Sequence, residues 1–197
     1  VSLVFASGVR TCATTAGYGA RSTAHGEPEN CQLFVVFPKV RTMPKLDLDS
    51  ISQSNTTGYP VPFNAPVQGR WYRRLSGPGD LTHMGASHVV LKPGAWSSQR
   101  HWHAEEDELL VMISGAAVLV EDDGETVLRA GDIAAWPKGA RNGHHLQNRS
   151  DQECVFVAIS AGDRDKDHGE YPDIDMVFDA EGYARRDGSR YPTKRTP

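Results

Sequence analysis

His101 and His103 stand one residue apart, Glu108 follows five positions on, and His144 opens the segment His144-His145-Leu146-Gln147-Asn148. Alternate residues of a strand share a face, so a strand through this segment projects both imidazoles together and turns Trp102 the opposite way. A carboxylate from the next strand and a third imidazole from a later one then complete an N3O donor set. Imidazole and carboxylate oxygen together suit Fe, Mn, Ni, Zn, Co or Cu rather than Ca or Mg. Singly, each residue is weak evidence. A lone histidine is usually a hydrogen-bonded structural residue, and Glu108 stands beside Glu105, Glu106 and Asp107, which read equally well as surface charge. Order and spacing together carry the expectation of one divalent transition metal on His101, His103, Glu108 and His144.

Strand parity extends the reading outward. Gln99 shares the face of His101 and His103, and Leu110 and Met112 share the face of Glu108. These three are the candidate substrate-pocket residues, with barrel core the leading reading for Leu110 and Met112. Arg100 and Trp102 fall on the other face, where they pack or bridge at a sheet or dimer interface. Tyr72 and Trp96 are expected in structural packing, with a place at a pocket mouth as the second reading. His83 and His88 read as surface or hydrogen-bonded residues. The sequence shows no independent general base, no Ser/His/Asp arrangement and no phosphate loop.

The elements that would hold these residues are short apolar runs recurring every 8–12 residues from about residue 60, without long helical patterns, which predicts an all-β sandwich or barrel. The runs are His88–Leu91, Leu109–Ile113, Ala117–Val120, Thr126–Arg129, Ile133–Trp136 and Val155–Ile159. Asp122-Asp123-Gly124 between two of them is a hairpin signal. Asp163–Asp175 is polar and acidic and reads as an exposed loop. Arg185, Arg186, Arg190, Lys194 and Arg195 make the tail basic and read as a solvated end.

The chain has 197 residues and a formal net charge of −4, enough for one domain with a sizeable core. No window approaches the ~18 apolar residues of a spanning helix, and the mild acidity argues against nucleic-acid binding. Neither nucleic acid nor membrane is therefore an expected partner; a small-molecule substrate or ligand is. Cys12, Cys31 and Cys154 are too sparse for a disulfide framework, which favours a cytoplasmic setting. Residues 1–42 carry six charged residues and a net +2, against −6 for residues 43–197. The leader VSLVFASGV lacks a positive residue before its apolar run and does not read as a signal peptide. Residues 1–42 are expected to be a disordered arm or an extension upstream of a natural start at Met43. The alternative is an ordered arm with Leu33 to Phe37 as an edge strand. The domain proper is then 43–197, with a barrel core over about 60–178 and a tail over 179–197.

At this point a family resemblance appears. Gly94-AWSSQR-His101-Trp102-His103-AEED-Glu108-LLVMIS-Gly115 resembles the first motif of the cupin superfamily, departing only by six residues rather than five before the first histidine. Gly131-DIAAW-Pro137-Lys138-Gly139 and His144-HLQ-Asn148 resemble the second. The family pattern puts the ligand histidine three positions after the second glycine, which here is Asn142. Counting back from Asn148 gives His144, with a two-residue insertion in the 140–143 loop; His145 is the rival. MPKLDLDS, PGAWSSQRHWH, HHLQNRS and YPDIDM are similar to a group of uncharacterised single-domain bacterial cupins.

The resemblance implies a double-stranded β-helix (jelly-roll barrel), a bound metal, Gly94, Gly115, Gly131, Pro137 and Gly139 as structural motif residues, and a homodimer. It supplies no substrate. A metal-dependent enzyme on a small polar molecule is the leading reading, oxygenase chemistry slightly ahead of isomerase or lyase. A non-catalytic small-molecule binding or sensing module is the alternative, weakened by the lack of a helix-turn-helix pattern, and a storage-type structural role comes third.

Overall fold

The computed structural model describes residues 45–192; the arm expected over 1–42 and the basic residues Lys194 and Arg195 lie outside the described residues. The strands are β1 (Arg70–Arg74), β2 (Gly85–Leu91), β3 (Trp102–His103), β4 (Glu106–Ser114), β5 (Ala116–Glu121), β6 (Gly124–Arg129), β7 (Ile133–Trp136), β8 (His145–Gln147), β9 (Cys154–Gly162), β10 (Gly169–Tyr171), β11 (Met176–Asp179) and β12 (Gly182–Ala184). They form antiparallel sheets in the orders β1-β2-β9-β4-β7, β12-β11-β10-β3 and β6-β5-β8. Single bridges, His101 with His144 and Trp96 with Gln147, tie segments outside the named strands to this framework. Among the described residues no helix is long and apolar enough to cross a membrane.

Two-residue alternation decides what each strand buries. β4 sends Glu106, Leu110 and Met112 inward with Glu108 half-buried between them, and leaves Asp107, Leu109 and Ile113 exposed. Val89 and Leu91 of β2, Ala117 and Leu119 of β5, and Cys154 and Phe156 of β9 close on them as the main core. Each fully buried side chain of the Leu or Met class contributes about 1.5–3 kcal/mol. Asp122 and Asp123 form the turn of the β5–β6 hairpin, whose register closes at Glu121 opposite Gly124. Gly115 shows why the β4–β5 turn needs glycine. Its φ is +71°, and a Cβ there would stand 2.6 Å from the Glu153 carbonyl oxygen. Gly94, Gly131 and Gly139 also have positive φ. The Pro137–Gly139 turn docks on the first motif, Gly139 N donating to the His103 carbonyl over 2.8 Å.

Two sequence expectations are corrected. Asp163–Asp175 is not simply an exposed loop: it contains β10, and Asp167 is buried. Charge density hid this, because a single inward carboxylate with its own partners looks, in sequence, like its solvated neighbours. Nor is the tail only a solvated end over its described part, although residues 186–190 are exposed. β12 joins the second sheet, and Tyr183 and Tyr191 pack on a second core built around Tyr59, Val67, Tyr171 and Met176. Two of its arginines are neutralised locally, Arg190 by Asp179 and Glu181 and Arg186 by Glu170, while Arg185 lies over the Tyr191 ring.

Candidate metal centre

β3 and the bridge residue beside it deliver His101 and His103, β4 delivers Glu108, and the bridge opposite His101 delivers His144. The last pairing is by backbone: His144 N donates to His101 O over 2.9 Å and His101 N to His144 O over 3.3 Å. One ligand atom from each of His101, His103 and Glu108 lies within 4.8 Å of the others. His144 joins through Glu108, its Nε2 standing 2.8 Å from Glu108 Oε2, while His103 Nε2 stands 3.9 Å from the same oxygen.

The three imidazoles are oriented by their other nitrogens. His101 Nδ1 donates to Gln99 O at 2.9 Å, His144 Nδ1 to Asn142 O at 3.1 Å and His103 Nδ1 to Asp167 Oδ2 at 2.6 Å. Carbonyl and carboxylate oxygens only accept, so each Nδ1 carries a proton and Nε2 is the nitrogen left to face Glu108. Burial, above all, pushes His101 down to about 3, against the pull of the Glu108 charge. Burial would raise Glu108, but the hydrogen bond with His144 and the electrostatic pull of the surrounding His101, His103 and His144 rings outweigh it and hold the carboxyl at about 2. Near neutral pH, His101 is therefore a neutral imidazole and Glu108 a carboxylate, the forms in which both groups ligate metals. Lone pairs from imidazoles converging on an ionised carboxylate need a proton or a cation between them, so this donor set fits a borderline divalent metal.

Aromatic rings pack the donors in place. Trp136 stacks on His144 with centroids 4.0 Å apart, Tyr171 stacks on His101 at 5.3 Å, and Phe178 lies 5.0 Å from His103. The Trp136 indole N–H donates to Glu121 Oε1, fixing the ring. Sequence reasoning missed Trp136, Tyr171, Phe178 and Asp167 as parts of the centre; Tyr171, Phe178 and Asp167 reach it from a distant segment with no local pattern to mark them.

The second-motif assignment can be followed atom by atom. Asn142, at the position where the family pattern has histidine, holds the inserted loop on the β5–β6 hairpin: Asp122 N donates to its Oδ1 and its Nδ2 donates to Glu121 Oε1. His145 donates from Nδ1 to Ser98 O and accepts at Nε2 from the Gln147 amide, so both of its nitrogens are engaged away from Glu108.

The donors lie in a cavity of about 710 Å³, within the range typical of small-molecule sites. Leu110 lines it, as do Tyr72 and both His144 and His145. Gln99 and Met112 do not. Gln99 is buried and donates from Nε2 to the Phe63 carbonyl at 2.7 Å, and Met112 is 1% exposed in the main core. The parity that placed Gln99 beside the ligands assumed a continuous strand, but residues 97–100 bend and β3 begins only at Trp102. Arg100 bridges two carboxylates, pairing with Asp122 and bidentately with Asp173. Trp96 packs edge-on against His145, and His88 is half-buried with no hydrogen-bond partner for its Nδ1 among the described residues.

Known proteins share this fold. A family model described as a cupin domain matches residues 87–160. A sugar phosphate isomerase of the cupin superfamily from Silicibacter pomeroyi is 42% identical, covering 76% of this chain and 97% of its own, with a TM-score of 0.71. The chain belongs to the cupin superfamily. Two more distant structures share its fold. A candidate sugar phosphate isomerase from Acidithiobacillus ferrooxidans is 23% identical over 64% of this cupin and 81% of itself, TM-score 0.55. A polyketide cyclase from Streptomyces resistomycificus is 16% identical over 64% and 84%, TM-score 0.52. No curated protein matches the sequence significantly.

Proposed function

We propose that this cupin is a metal-dependent isomerase of a small polyhydroxylated carbonyl compound. The observation that carries the reading is the cluster of His101, His103 and Glu108, with His144 joined through Glu108, in a cavity of substrate size. The 42% identical relative named a sugar phosphate isomerase moves isomerisation ahead of the oxygenase chemistry that the ligand set alone favoured.

His101, His103, Glu108 and His144 would hold one divalent transition metal. When bound, such an ion supplies Lewis acidity toward a carbonyl or hydroxyl oxygen. The chain's own contributions are separate. Leu110, Leu146 and Phe156 give the cavity an apolar wall that limits water, while Tyr171 and Trp136 restrain the rings that face the substrate. Glu108 is the one carboxylate among the described residues lining this cavity, which makes it the candidate carboxylate proton acceptor for an isomerising C–H.

The test is reconstitution with Fe, Mn, Co, Ni or Zn singly, followed by proton NMR of aldose and ketose phosphates in D2O. Interconversion with solvent deuterium incorporation, lost in a His101→Ala/His103→Ala variant, is the expected result. No interconversion with any metal overturns the isomerase reading, and oxygen consumption with catechols, diketones or thiols would restore the oxygenase in its place.

A further inference from the structure

We infer that Arg70 and Arg74 form the phosphoryl-recognition wall of this cavity, an inference that rests on the isomerase reading and deepens it. β1 presents Arg70, Tyr72 and Arg74 at alternate positions, hence on one face, and all three line the cavity that holds the metal donors. Tyr72 stands between the two guanidinium groups, whose central carbons lie 5.6 and 5.4 Å from its ring centroid. Contacts of that length hold a cation over an aromatic face and leave its N–H edge free for other partners.

Of the described arginines, Arg70 and Arg74 are the two that line this cavity, and they share with Arg73, Arg129, Arg141 and Arg185 the lack of a described ion pair. The described ion pairs take up Arg100, Arg149, Arg164, Arg186 and Arg190 and leave Arg70 and Arg74 out. Arg70 is fixed by one bond, Nη1 to the Ser97 carbonyl at 2.7 Å, while its Nε is buried with no hydrogen-bond partner among the described residues. A buried N–H left unpaired is costly and calls for an acceptor. Arg74 is exposed and lines both the metal cavity and an adjoining cavity, each of which also includes Ser87 and Glu108. It therefore stands where a ligand would enter.

The wall and the metal donors belong to one cavity, so a ligand with an anion at one end and a carbonyl at the other would engage both. A guanidinium fork matches phosphate oxygens bidentately, and the hydroxyls of Thr57, Ser87 and Ser97 on the same lining supply further donors. The occupant this chemistry selects is a phosphomonoester dianion.

The probe is glycerol 3-phosphate, titrated calorimetrically at low ionic strength into the metal-loaded protein, with glycerol as the uncharged control. Arg74→Ala, on an exposed side chain, and Arg70→Lys, which keeps the charge and removes the Nε donor, are each expected to weaken binding at least tenfold. The His101→Ala/His103→Ala variant is expected to bind within about threefold of native. Affinity unchanged in both arginine variants overturns the proposal, as does no binding to native protein. Binding lost with the histidines and kept in the arginine variants also overturns it, because the anion then sits on the metal. Binding that follows the arginines in a protein that isomerises nothing keeps the anion wall and removes only the isomerase.

Discussion

His103 donates from Nδ1 to Asp167 Oδ2 over 2.6 Å, and this buried bond decides which nitrogen of the ring faces the metal donors. Asp167 also accepts from Glu105 N at 2.9 Å, so the carboxylate is fixed from two sides. Partners of this kind set the tautomer and raise the basicity of a ligating imidazole. Asp167→Asn keeps the shape but offers an amide in place of a carboxylate. Metal affinity is expected to fall about 10–100-fold with little change in the far-UV circular dichroism, measured by competition with a chromogenic chelator. Affinity equal to native would show that Asp167 is only structural.

Gly169 supports the same bond from the backbone. β10 approaches β3 so closely that a Cβ on Gly169 would overlap the Trp102 carbonyl oxygen and the Phe178 ring. Gly169→Ala must push β10 away from His103, its register partner. Overpacking of this kind costs about 1–3 kcal/mol. The expected outcome is a lower urea midpoint together with weaker metal binding, and a variant that loses neither would show that the contact relaxes without moving Asp167.

Much of the barrel was legible because strands that bury one face write a two-residue period into their sequence. Leu110 and Met112 lie inward as their parity with Glu108 required, and the Asp-Gly hairpin closes where turn chemistry placed it. Parity failed where its premise failed. Gln99 lies in a bend rather than a strand, and its amide is committed to Phe63, whereas Met112 packs into the main core, the leading reading for it. Asp167 and Phe178 could not be read at all, since a side chain's relation to a ligand more than 60 residues away follows from sheet order, not local pattern.

Cys154 is fully buried beneath the main core, and burial raises its thiol from 9.0 to about 11. Only the thiolate attacks alkylating reagents, and a rise of two units leaves about 100-fold less of it at pH 7.5. Peptide-resolved labelling with iodoacetamide is expected to show Cys154 unmodified in native protein and modified once urea unfolds it. Rapid native labelling would mean that β9 opens locally.

Arg100 ties the β5–β6 hairpin to the segment after β10, contacting Asp122 and gripping Asp173 through Nε and Nη2 at 2.8 and 2.6 Å. Its hydrogen bonds hold the Asp173 carboxyl below the ordinary carboxylate range. A carboxyl lowered by folding stabilises above its unfolded pKa, and that contribution is lost as pH falls through the lower folded value. Lysine keeps the charge but not the fork, so Arg100→Lys is expected to cost about 1 kcal/mol at pH 7, much of what Arg100→Ala costs. The difference from native should shrink in urea melts as the pH falls below the ordinary carboxylate range. A lysine variant as stable as native would reduce the contact to simple charge attraction.

The choice between His144 and His145 turns on what their Nε2 atoms already do. His144 Nε2 meets Glu108 Oε2 at 2.8 Å, whereas His145 Nε2 accepts from the Gln147 amide at 3.0 Å and its Nδ1 donates to Ser98 O at 2.9 Å. Burial lowers the pKa of His145, so it stays neutral and can keep both bonds, whose loss would leave the Gln147 amide and the Ser98 carbonyl without that partner. Removing one first-sphere imidazole from a four-donor set should cost metal affinity far beyond the 10–100-fold of an outer partner. His144→Ala is therefore expected to purify without stoichiometric metal, while His145→Ala keeps one metal per chain by elemental analysis and loses stability in urea. Metal retained by His144→Ala and lost from His145→Ala would reverse the assignment and place the inserted residues of the 140–143 loop one position later in the strand.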